Sequence, residues 1–189
     1  MLSLWTSVTT TGTKPGGLVF DRKPAGLKLP QLPFPGMFTA QRTISSMNVG
    51  LKVTYLYHDV DIIEVRFTAE NGRFRGSADV YVGTDGLLEA AAALQGFPKD
   101  RRDKREIVFG SAGPKFAGGS VRLEFYCKDL AGHTAFRAVI EDDYGQQELT
   151  QRATVFVDFD PAALDQFLVE LQQVEREHRG SASLITGAL

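Results

Sequence analysis

Ile63-Glu64-Val65-Arg66-Phe67-Thr68-Ala69-Glu70-Asn71-Gly72-Arg73-Phe74-Arg75-Gly76-Ser77-Ala78-Asp79-Val80-Tyr81-Val82 holds two strands and the turn between them. Ile63, Val65 and Phe67 alternate with Glu64 and Arg66. Phe74, Ala78, Val80 and Val82 continue the alternation, with Gly76 in the apolar register. A period of two with one apolar face is the pattern of a half-buried antiparallel strand. Asn71-Gly72 between two such runs is a strong short-range hairpin signal, because both residues accept positive φ.

Working outward, Leu51, Val53, Tyr55 and Tyr57 alternate with Lys52, Thr54 and Leu56, and a short link, His58-Asp59-Val60-Asp61, joins this run to the next. Downstream, Leu87, Leu88, Ala91 and Leu94 recur at helical spacing, with Thr84 or Asp85 placed to cap the start and Gly96-Phe97-Pro98 to stop the helix. A second β block follows: Glu106-Ile107-Val108-Phe109, then Val121 to Cys127, then Phe136 to Ile140, then Ala153, Val155, Val157 and Phe159. Asp160 and Pro161 announce a last helix carrying Leu164, Phe167, Leu168, Leu171 and Val174 on one stripe. The predicted order is β-β-β-α-β-β-β-β-α. Short links without helical crossovers rule out a parallel α/β fold. The expected class is α+β: a mostly antiparallel sheet of about seven strands with two packed helices, or a sandwich-like or partly closed barrel variant of it.

The chain has 189 residues and a formal net charge of −2. The composition changes near Met47. Residues 1–46 hold five of the eight prolines and a net charge of +4, leaving −6 for the rest. They read as a Pro/Gly-rich arm, disordered or a spurious extension upstream of a start at Met47; Pro30 to Pro35 suits polyproline II. Residues 47–178 read as one β-rich domain and 179–189 as a frayed tail.

Near-neutral charge argues against non-specific nucleic-acid binding. No apolar stretch reaches the length of a membrane span. One cysteine, Cys127, permits no intrachain disulfide and no Cys-based zinc site; on the apolar face of its strand it reads as a buried thiol, and the cytoplasm is the expected location. A homo-oligomer is compatible with all of this.

The search for chemistry gives no catalytic residue, no metal site and no cofactor. There is no G-x-S-x-G elbow, no phosphate-binding loop and no H-E-x-x-H. Gly110 to Gly119 is glycine-rich without the order a phosphate loop needs, and reads as a hairpin connection. His58, Asp59 and Asp61 at one strand end, with His133 near another, form a candidate polar cluster if the fold brings them together. Two charged segments are candidate interaction surfaces: the basic loop with Arg101, Arg102, Lys104 and Arg105, and the turn Glu141-Asp142-Asp143-Tyr144.

Three phrases carry a resemblance: Asn71 to Gly76 leading into Asp79 to Val82, Leu87-Leu88 through Pro98, and Asp160 to Leu164. On them, the segment from about Ile62 to Val174 resembles a group of small bacterial proteins that includes the WapI-type immunity family. The resemblance implies a small β-rich protein that neutralises a toxin by direct binding. It transfers no catalytic residue and does not reach residues 1–46. The functional expectation is a non-enzymatic intracellular protein-binding domain. The alternative is a small-molecule-binding domain or modest hydrolase using His58, Asp59, His133 and Cys127 at a cleft.

Overall fold

A computed structural model describes residues 49–111, 113, 117–142 and 150–186. The Pro/Gly-rich arm, Asp143 and Tyr144 lie outside the described residues. Among the described residues there are eight strands, all paired antiparallel: β1 (Gly50–His58), β2 (Ile62–Glu70), β3 (Arg75–Gly83), β4 (Lys104–Gly110), β5 (Ser120–Cys127), β6 (Thr134–Asp142), β7 (Gln151–Phe159) and β8 (Ser181–Ile185). Two helices, α1 (Gly86–Leu94) and α2 (Pro161–Glu177), complete the α+β fold. The strands divide into two four-stranded sheets, ordered β3-β2-β1-β8 and β4-β5-β6-β7, not closed into a barrel.

The inward register of both sheets is the apolar one. Val53, Val65, Phe67, Val80, Leu123, Phe125, Phe136, Ala138 and Val155 are fully buried. Phe67 packs on Phe109 at 4.6 Å between ring centroids. Phe97, Phe125, Phe136 and Phe159 form a second aromatic group with centroids 5.7–6.3 Å apart. Between the sheets, Gly76 of β3 faces Ala153 of β7; a Cβ at position 76 would stand 2.6 Å from the Ala153 Cβ.

Several elements depart from the sequence reading. Residues 181–185, read as part of a frayed tail, are β8: Leu184 pairs with Leu51 and Ala182 with Val53, both buried. A bulge in β1 between Tyr55 and Tyr57 moves Tyr57 opposite Glu64, out of the apolar register, and leaves it 57% exposed. Phe74 belongs to the hairpin turn and not to the core: Asn71 Oδ1 accepts from the N–H of Arg73 and Phe74, and Phe74 is exposed.

The start of α1 also differs. Asp85 sits at φ 68 with no side-chain cap; the Glu175 carboxylate of α2 instead accepts from Asp85 N–H (3.2 Å) and Leu87 N–H (3.0 Å). The buried stripe of α1 is Leu87, Ala90, Ala91 and Leu94, with Leu88 half-buried. The start of α2 is as expected, with Asp160 Oδ1 accepting from Ala162 N–H at 2.8 Å and Pro161 in the first turn.

Two outer strand edges each hold a hydrogen bond with a neighbouring segment. Gly119 N–H donates to the Asp79 carbonyl of β3 (2.7 Å), and Glu170 of α2 accepts from Ser183 N–H of β8 (2.9 Å). Strand β7 is one of the two outer strands of the second sheet, and its edge leads to the site described next.

Candidate functional site

A groove of about 900 Å³ lies where the end of β7 and the β5–β6 turn face the β2–β3 turn and the ends of β1 and β8. One wall carries Lys128, His133, Thr134 and Phe156 to Pro161; the other carries Val49, Asn71, Arg73 and Thr186.

The local chemistry of the first wall follows from its turns. Asp129 Oδ1 accepts from the N–H of Ala131 (2.9 Å) and His133 (3.2 Å), which closes the β5–β6 turn, while Oδ2 meets His133 Nδ1 at 2.6 Å. These bonds, that from His133 first, hold the Asp129 carboxyl below its ordinary range. Lys128 Nζ pairs with Asp158 at 2.7 Å, and that bond raises the ammonium above its usual value. The Thr134 hydroxyl donates to the Phe159 carbonyl at 2.6 Å.

Strand β7 contributes an edge that no other described strand pairs with. The Phe156 carbonyl accepts from Asn71 Nδ2 (3.2 Å), so it points away from β6. In an unbroken antiparallel ladder such groups alternate. The N–H and C=O groups of Arg152, Thr154, Phe156 and Asp158 therefore all point outward, and among the described residues only the Phe156 carbonyl has a partner. The Phe156 ring is 54% exposed.

The sequence-selected residues fall elsewhere, with one exception. His133 lines the groove; His58, Asp59 and Asp61 do not. His58 closes β1, its Nδ1 2.8 Å from the Tyr55 hydroxyl and its ring stacked on His178 at 3.9 Å. Asp59 is a turn former: its Oδ1 accepts from the N–H of Asp61 (2.9 Å) and Ile62 (3.0 Å), which keeps its carboxyl low. The Asp61 carbonyl accepts from Thr84. Among the described residues no group of three or more His, Cys, Asp or Glu side chains is placed to hold a metal. Cys127 is partly buried, and its Sγ donates to the Asp100 carbonyl. Desolvation, then the carboxylates of Asp103, Asp100 and Asp129, push the thiol up, away from the reactive thiolate.

Much of the basic loop serves the fold. The Arg105 guanidinium donates to the carbonyls of Ala93, Gln95 and Gly96 at the end of α1, pairs with Asp103 at 2.7 Å, and lies over the Phe97 ring. Lys104 pairs with Glu124 at 3.6 Å. Arg101 and Arg102 are exposed. Of the segment read as an acidic turn, Glu141 and Asp142 are instead the last residues of β6; Glu141 pairs with Arg152 and Asp142 is engaged.

Sequence reasoning missed Arg73, Lys128, Phe156 and Asp158. Phe156 had left a trace, since it is an aromatic between Val155 and Val157, in the outward register of its strand. Among the described residues no helix is long and apolar enough to cross a membrane. No protein-family model, curated protein or solved structure matches the chain.

Proposed function

We propose that the chain is a non-enzymatic protein-binding domain that receives an extended segment of its partner in the groove, along the outer edge of β7. The observation that carries this reading is the outward N–H and C=O row of β7 beside an exposed aromatic. A strand that adds to such an edge gains affinity from main-chain hydrogen bonds and specificity from its alternate side chains. The Asn71 carboxamide already occupies one acceptor of that edge, as a peptide N–H would. The resemblance to WapI-type immunity proteins supports a protein partner, with a toxin as one such partner. The free thiol of Cys127 supports a reducing compartment, the cytoplasm.

The competing reading, a small-molecule site or modest hydrolase, draws on His133, held by Asp129 through Nδ1, its second ring nitrogen having no partner among the described residues. Against it, the Thr134 hydroxyl is spent on a backbone carbonyl and Cys127 is not among the groove's lining residues.

Proline at position 158 separates the outcomes. Asp158→Pro removes an outward N–H while leaving the β6–β7 ladder in place, and Asp158→Ala removes only the carboxylate. Binding of a partner protein or peptide that survives Asp158→Ala and is lost in Asp158→Pro, measured by calorimetry on the full chain, is the expected result. Equal binding by both variants would defeat the main-chain pairing.

A further inference from the structure

The groove's charges are not equivalent. Lys128 is matched by Asp158, His133 by Asp129, and Asp160 is occupied in capping α2. Arg73 is different: its backbone N–H is used by Asn71, but its guanidinium has no partner among the described residues. It lines the same groove as Phe156, two residues after Asn71, whose carboxamide reaches the Phe156 carbonyl. A guanidinium offers a planar fork of donors that fits a carboxylate with two parallel hydrogen bonds. The exposed Phe156 ring offers an apolar face for a neighbouring side chain.

Resting on the binding reading above, we infer that the partner segment is an extended peptide that carries a carboxylate for Arg73 close to an apolar side chain for Phe156. Charge complementarity is the ground for this choice. A basic peptide would leave Arg73 facing a like charge and would have to compete for carboxylates already paired or capping. An entirely apolar peptide would cover the guanidinium without satisfying it.

The test is a selection of random seven-residue peptides from a display library, run on the full chain as wild type, Arg73→Ala and Arg73→Glu. The side chain of Arg73 is exposed on a turn, and substitution keeps the backbone bond to Asn71. The wild type should enrich peptides with Asp or Glu near a large apolar residue. A chosen peptide, synthesised and titrated, should bind Arg73→Ala about tenfold or more weakly, as expected for loss of a charge-assisted pair. Arg73→Glu should instead enrich Lys or Arg. Enrichment without charge preference, or the same acidic preference in Arg73→Glu, would overturn the inference and leave the binding reading intact. No enrichment from any form would overturn both.

Discussion

Glu175 is a carboxylate only 5% exposed, at the end of the apolar stripe of α2. Burying a charge is costly unless hydrogen bonds compensate it. Here two backbone N–H groups at the start of α1 do so, and they are donors that a helix cannot satisfy internally. The positive end of the α1 dipole adds to the match. The cap comes from 90 residues down the chain because Asp85, in a left-handed conformation, makes no side-chain cap of its own. Glu175→Ala should lower the unfolding free energy by about 2–3 kcal/mol, the cost of stranding buried donors that faced a charge. Glu175→Gln, which keeps one acceptor oxygen, should cost roughly half as much. Urea denaturation of the two variants checks this. If Ala cost no more than an exposed substitution, the tie between the helices would have no structural weight. The sequence held a hint, since Glu175 falls four residues after Leu171, in step with the buried stripe.

At the scale of elements, local signals were legible and non-local ones were not. The Asn71-Gly72 hairpin and the Asp160-Pro161 helix start are each written in a few adjacent residues, and both formed, though the turn took in Phe74 and only Gly72 of the pair adopts a positive φ. The β1 bulge is not written locally; it appears only in the pairing with β2, where Tyr57 falls opposite Glu64. Strand β8 is the sharper case. Ser-Ala-Ser-Leu-Ile offers just two inward positions, Ala182 and Leu184, too few for a periodicity to show. It becomes a strand because the turn after α2 returns the chain to the open side of β1, where Leu184 meets Leu51. Leu184→Ala should therefore cost about 2–5 kcal/mol, the range of a truncation in a packed core. A substitution in a frayed tail would stay within about 0.5 kcal/mol. Thermal or urea unfolding of this one variant distinguishes the two.

For the whole molecule, alternation told which face of each strand was buried but not which strands were partners, so a sandwich-like arrangement stood among the expectations while the assignment of strands to the two sheets could not be read. The candidate site was hidden for the same reason. Its two walls come from different sheets, and Arg73 and Phe156 lie far apart in the chain. Two helices linked through Glu175 and two sheets meeting at Gly76 and Ala153 share a single apolar core. Native-state hydrogen exchange should reflect both facts. Amides of the central strands β2, β5 and β6 should exchange only through global unfolding, at one common free energy. Along β7 the pattern should alternate: Val155 and Val157, bonded to β6, slow, and Thr154, Phe156 and Asp158, facing outward, fast. Adding a peptide that binds the groove should slow Phe156 and Asp158 and leave Val155 unchanged. Uniform protection along β7 in the unliganded chain would mean the edge is already occupied, and the groove would then have no free main chain to offer a partner.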